Sequence, residues 1–342
     1  MDGRMIELTP GKWWGMRRLA NADGHFAMTA VDQRPPIKGP IARALGTDEA
    51  PWEAVADFKR LLVETLGPAS SAMLLDPHYA IPRAVDALSP AKGLIVTLED
   101  SLFEDTPGGR LSSEIDDWSV AKIKRMGGDA VKVLAWYRPD ADADVRRRQE
   151  DWTKRIGEAC ARHDIPFLFE LLVYPLDGSN TDYVEMAAKK SDHVLQSVET
   201  FAHPDFGVDI FKLESPVNAP DVAATPGVQA TFDEMGRLAG RPWVMLSAGA
   251  GKADFATVTE HACRAGASGY LAGRAIWLDA FAHWPDEARM RADLEGEGVA
   301  YMERLNAIVA AHGTPWHAHP AYGPHGARFA PADASFRHGY PA

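Results

Sequence analysis

The stretch Asp209-Ile210-Phe211-Lys212-Leu213-Glu214 decides how this chain reads. It has the character of a buried strand, with a lysine where the apolar pattern calls for another Val or Ile. A lysine is seldom fully buried without a reason. Burial disfavours its charged form and leaves a neutral, nucleophilic amine. Such an amine attacks a carbonyl and forms a Schiff base. The plainer alternative puts Lys212 at a strand end, with its ammonium in solvent or against Glu214.

Working outward, seven further apolar runs have the same form, at 26–31, 72–75, 93–97, 130–134, 166–171, 242–246 and 269–272. Helical periodicity separates them, at 50–66, 118–126, 144–163, 181–201, 254–265 and, briefly, 233–238. Strands alternating with helices imply a parallel sheet, because parallel neighbours need crossover connections. Eight such units over about 250 residues are the content of an α/β (β/α)8 TIM barrel. An open doubly wound sheet is the alternative, but no Gly-rich dinucleotide fingerprint follows the first run. The expected organisation is a single barrel domain over 1–313 and an irregular tail over 314–342. The barrel domain begins with a helix within 1–22, capped at Thr9-Pro10. A polar loop covers 101–116.

The chain has 342 residues, of which 46% are hydrophobic, enough for a large core. A net charge of -12 and a pI near 5.5 argue against nucleic acid and anionic membranes as partners. Cys160 and Cys263 fit no metal or redox spacing and read as buried thiols, so the expected compartment is the cytoplasm. No apolar run reaches membrane-spanning length, and the first residues lack a signal-peptide core.

In such a barrel, functional groups lie at the C-terminal ends of the strands. Collecting those ends gives Asp32, Asp76, Glu99, Lys132, Glu170, Lys212, Ser247 and Arg274. Asp76 and Glu99 read singly as loop caps. Lys132 and Lys212 have apolar neighbours on both sides and should point into the barrel. Lys132 would depress the pKa of Lys212, and Glu170 would serve as general acid and base. Burial and the two lysines should compete at Glu170 and leave it titrating near neutral pH. Asp32 would orient Lys132 or handle a substrate hydroxyl. This set suits carbon–carbon cleavage beside a ketone, where an iminium takes up the electrons. Ser247-Ala248-Gly249-Ala250-Gly251 and Gly273-Arg274 end the last two runs, the usual phosphate site of these barrels. The histidines are scattered, which argues against a metal-dependent aldolase. A phosphosugar-binding regulator that keeps such a pocket is the alternative from another class.

Several stretches, taken in order, resemble the class I aldolases that cleave tagatose 1,6-bisphosphate, and their relatives that cleave 6-sulfofructose 1-phosphate. They are Val31-Asp32-Gln33-Arg34, Leu74-Leu75-Asp76-Pro77, Asp117-Trp118-Ser119-Val120 and Gly128-Asp129-Ala130-Val131-Lys132. Phe169-Glu170-Leu171, Val208 to Glu214, Leu246-Ser247-Ala248-Gly249 and Gly273-Arg274-Ala275 follow, so the likeness spans residues 30 to 280. The resemblance implies a TIM barrel with no metal and no other cofactor. It makes Lys212 the Schiff-base lysine, Glu170 the acid/base group, and Lys132 and Asp32 their supports. It assigns the 1-phosphate to Ser247, Gly249, Gly273 and Arg274, makes Gln33 and Arg34 further substrate contacts, and gives dihydroxyacetone phosphate as a product. The implied partner is a sugar phosphate, and the implied assembly a homo-oligomer. Pro35-Pro36 departs from the pattern. The prolines should stiffen a loop near the distal half of the substrate, leaving open whether the distal group is phosphate, sulfonate or uncharged.

Overall fold

The computed structural model describes residues 6–176, 191–330 and 333–340. Eight parallel strands close into a barrel. They are β1 Phe26–Ala30, β2 Ala72–Leu75, β3 Gly93–Thr97, β4 Ala130–Trp136, β5 Phe167–Leu172, β6 Ile210–Leu213, β7 Trp243–Met245 and β8 Gly269–Ala272. Each strand pairs with its neighbours in sequence, and β8 returns to β1 through Phe26↔Gly269 and Thr29↔Ala272.

Side chains alternate across a strand, and the alternation sorts two apolar sets here. Met28 and Ala30 of β1, Leu74 of β2, Ile95 of β3, Leu168 of β5 and Ile210 of β6 gather in one buried cluster. Ala27, Met73, Val96, Val131, Phe169 and Phe211 belong to the other, together with helical residues such as Phe58, Phe201 and Met302. Lys132, Glu170 and Lys212 lie two residues beyond Ala130, Leu168 and Ile210. They therefore keep the parity of the inner set and form its polar upper layer.

The opposite end of the barrel is closed by α1 (Pro10–Leu19), shorter than the helix read over 1–22. Met16 and Leu19 join the inner cluster. The buried Lys12 ammonium donates to Asp209 at 2.7 Å, and Asp164 accepts from the backbone N–H groups of Gly11 and Lys12. The tail is not irregular throughout. It forms short 3-10 turns at Trp316–Ala318 and Pro320–Tyr322, and buries Trp316 and Tyr322 in that same inner cluster.

Several connections differ from the sequence reading. Pro35 and Pro36 do not stiffen a loop; they begin a helix, α2 (Pro35–Leu45). A missing N–H costs nothing in the first turn, and a fixed φ suits it. The loop over 101–116 carries a hairpin, Glu104–Thr106 against Gly109–Leu111. The helix read at 233–238 runs over Val228–Ala239. Of the helix read at 181–201, Ser191–Phe201 is helical, and 181–190 lies outside the described residues. Helices at Arg274–Phe281, Glu287–Asp293 and Val299–His312 follow β8; the last buries Met302, Leu305 and Val309. Cys160 and Cys263 are buried free thiols. Among the described residues, no helix is long and apolar enough to cross a membrane.

Candidate active site

The polar layer opens into a cleft at the C-terminal ends of the strands. Its lining includes Asp32, Gln33, Glu170, Lys212, Ser247 and Arg274. Lys212 is 4% exposed, so its ammonium is not in bulk water. Its partner is Glu170, at 2.8 Å from Nζ to Oε2, and not Glu214, whose Oε1 accepts from the Val173 N–H. Glu170 and Lys212 are register partners on β5 and β6, which places their inward side chains side by side.

Lys132 is the hub. Its Nζ lies 2.9 Å from Asp32 Oδ2, 2.6 Å from Glu99 Oε1 and 2.8 Å from the same Glu170 oxygen that meets Lys212. Glu99 is therefore no loop cap. Asp76 in part is, since its Oδ1 accepts from the His78 and Tyr79 N–H groups at 2.9 Å. Its other oxygen meets Lys59, which also donates to the Val31 carbonyl at 2.7 Å. Both side chains of that pair are fully buried. Nothing in the sequence singled out Lys59, which sits in an amphipathic helix, Trp52–Leu66.

The charges shift one another. Burial pushes the Asp32 carboxyl up, but Lys132, Lys212 and Arg34 pull harder, and it ends well below the usual carboxylate range. Glu170 shows the same contest: burial raises it, Lys132 and Lys212 lower it, and the lysines win. The expectation of a Glu170 balanced near neutral pH is thus corrected. At Glu99 burial prevails over Lys132 and Arg34 and raises the carboxyl.

Asp32, Gln33 and Arg34 share a second property. Asp32 Oδ1, Gln33 Oε1, and Nε and Nη1 of Arg34 are buried without hydrogen-bond partners. Buried polar atoms are normally paired. Arg34 is not among the residues lining the cleft; its Nη2 donates to the Glu99 carbonyl at 3.1 Å.

Across the cleft, the loops after β7 and β8 meet. Ala248 and Gly249 have left-handed backbones, at φ 49° and 76°, and for Ala248 this is a strained conformation that recurs at ligand sites. A Cβ at Gly249 would sit 3.6 Å from the Arg274 guanidinium. Gly273 is tighter: a Cβ there would lie 2.6 Å from Gln33 Nε2 and 2.8 Å from the Ala30 carbonyl. Helices begin at Lys252 and Arg274, so a helix N-terminus follows each loop, and one of them carries the guanidinium. That combination favours an anion. Ser247, Gly273 and Arg274 line the cleft, and Gly249 lines the adjoining groove. Among the described residues, no cluster of His, Cys, Asp and Glu is arranged to hold a metal ion.

The sequence of the DeoC/LacD family aldolases matches residues 26–279. A tagatose 1,6-diphosphate aldolase of Listeria monocytogenes (serotype 4a, strain HCC23) is 35% identical over 326 residues, covering 91% of this chain and 95% of that protein. Tagatose 1,6-diphosphate aldolase 2 of Enterococcus faecalis is 34% identical over 328 residues, covering 92% of this chain and 98% of the relative. Among solved structures, an archaeal fructose-1,6-bisphosphate aldolase, with its catalytic Lys bound to the carbinolamine intermediate, aligns with a TM-score of 0.57 and 18% identity. It covers 86% of this chain and 98% of its own. At that identity the likeness is one of fold.

Proposed function

We propose a substrate and a set of roles from one premise: the chain belongs to the DeoC/LacD family of aldolases and is a class I aldolase. The reaction is cleavage of a ketose 1,6-bisphosphate of the tagatose type, or of a ketose 1-phosphate with another distal group such as a sulfonate. Dihydroxyacetone phosphate and an aldehyde are the products. The observation that carries this reading is the Lys212 amine, desolvated, on the cleft wall and in contact with Glu170.

In the proposed mechanism, the Lys212 ammonium first passes a proton to the Glu170 carboxylate across their 2.8 Å contact, and the neutral amine adds to the C2 ketone. The carbinolamine loses water with a proton from Glu170, leaving an iminium and the Glu170 carboxylate. That carboxylate then takes the proton of the C4 hydroxyl. The C3–C4 bond breaks, its electron pair enters the iminium as an enamine, and the aldehyde departs. Protonation at C3 and hydrolysis release dihydroxyacetone phosphate and free Lys212. The Lys132 ammonium stabilises the Glu170 carboxylate between these steps. The unpartnered Asp32 Oδ1 suits a substrate hydroxyl, and the Gln33 oxygen a second. Ser247, Gly249, Gly273 and Arg274 hold the 1-phosphate, and Arg34 adds positive charge behind Asp32.

The test is borohydride reduction in the presence of tagatose 1,6-bisphosphate, followed by peptide mapping. The adduct should map to Lys212 and vanish in Lys212→Ala along with turnover. An adduct on Lys132, or none at all, overturns the assignment.

A further inference from the structure

Three carboxylates surround Lys132, and two of them, Asp32 and Glu170, line the cleft. Glu99 does not, yet its contact, at 2.6 Å, is the shortest of the three. We propose that Glu99 is a positioning residue of the aldolase site, fixing both the place and the charge of the Lys132 ammonium from behind. This rests on the reading of Lys212 and Glu170 given above.

The first argument is geometric. An ammonium has three N–H donors, and three carboxylates meet them here. Without Glu99 the group is free to turn away from Glu170. Glu99 is itself held. Thr97, the register partner of Lys132 on β3, donates its hydroxyl to Glu99 Oε2 at 2.6 Å, and Arg34 donates to the Glu99 carbonyl. A side chain locked at both carboxylate oxygens and anchored at its backbone makes a rigid back wall.

The second argument is electrostatic. Lys132, Lys212 and Arg34 face Asp32, Glu99 and Glu170 in one buried space, and at Glu99 the ammonium on one oxygen and the Thr97 hydroxyl on the other favour the anion and oppose the burial that raises its carboxyl. Glu99 is 2% exposed, so solvent screens its charge little. Removing that charge leaves the space net positive, and the Lys132 ammonium then gives up its proton more readily. Lys132 has the closest contact with Glu99 and is the most affected. A neutral Lys132 no longer steadies the Glu170 carboxylate.

Glu99→Gln tests this, because it keeps the shape and removes the charge. With tagatose 1,6-bisphosphate, kcat should fall about tenfold or more while KM stays within about threefold, and the alkaline limb of the kcat profile should move down by about one pH unit. Borohydride trapping at Lys212 should persist. A wild-type kcat, or a fall that is uniform in pH, overturns the proposal. Should that variant not fold, Thr97→Val removes the hydroxyl that favours ionised Glu99 and touches nothing in the cleft. It should move the same limb in the same direction by a smaller step, and an unmoved limb there overturns the proposal equally. Absence of trapping in the wild-type protein would instead sink the Schiff-base reading, so the two failures are distinct.

Discussion

Glu170 and Lys212 are direct register partners on adjacent parallel strands, and their charged ends meet at 2.8 Å. The pairing makes a proton donor and acceptor out of two neighbours that the sequence separates by a whole helix. It also fixes which of the two lysines around Glu170 reaches the cleft, since Lys212 is in its lining and Lys132 is not.

The first prediction follows from the depressed Glu170 carboxyl. Glu170→Gln should lower kcat on the order of a hundredfold while still allowing some trapped imine at Lys212. The native group is a base throughout the neutral range, so an acid limb near neutrality in the wild-type profile should persist in this variant. Stability carries the same sign. A carboxyl with a depressed folded pKa contributes stability that is complete above its unfolded value, roughly 4.3 for Glu. That contribution is lost as pH falls through the folded value. Melting temperature plotted against pH should therefore be flatter on its acid side in Glu170→Gln; an unchanged acid slope contradicts the ion pairing.

Arg274 tests the anion site. A charge-assisted bidentate contact to phosphate is worth roughly 1.5–3 kcal/mol. Arg274→Ala should weaken productive binding of the phosphorylated substrate by about ten- to a hundredfold. Steady-state kinetics with unchanged kcat/KM would remove Arg274 from the site.

At Gly273 the reason is space. Gly273→Ala drives a methyl group into Gln33 Nε2 and the Ala30 carbonyl, and the carbonyl belongs to β1 and cannot yield. The variant should fold with a loss of about 1–3 kcal/mol and lose kcat/KM by more than that instability accounts for, because Gln33 moves. Crystallography or kinetics showing Gln33 in place and full activity would refute this.

Lys59 and Asp76 supply a stability test. Burial lowers the Lys59 pKa, with Asp76 opposing. Lys59→Met leaves Asp76 buried and unpaired, and should cost about 3–5 kcal/mol. Adding Asp76→Leu should recover much of it, but not all, because two backbone N–H groups lose their acceptor. Denaturant unfolding of both singles and the double measures the coupling; additive losses would argue against a mutual pair.

The barrel and most of its polar layer were legible because period-two alternation and strand-end charges are local properties. Lys132, Glu170 and Lys212 each interrupt an apolar run, and inward parity carried them together. What escaped depends on contacts distant in sequence. Glu99 resembled a loop cap until β3 and β4 were side by side. Lys59 was one charge on an amphipathic helix, with nothing local to mark its burial. The balance at Glu170 turned on two lysines sharing one oxygen, a distance no spacing encodes. The two prolines were misread for another reason: the same residues that stiffen a loop also begin a helix.

The seam between the N-terminal segment at Leu8 and the C-terminal segment at Arg328 and Ala330 has a practical consequence. Leu8 and Arg328 share a backbone hydrogen bond, as do Ala330 and Leu8, on the side of the barrel away from the cleft. A fusion partner or affinity handle inserted beside Leu8 or Arg328 would stand behind the molecule and leave the approach of substrate open. The same proximity suits circular permutation: a short linker can join residue 330 to residue 8, with new termini cut into an exposed helical connection.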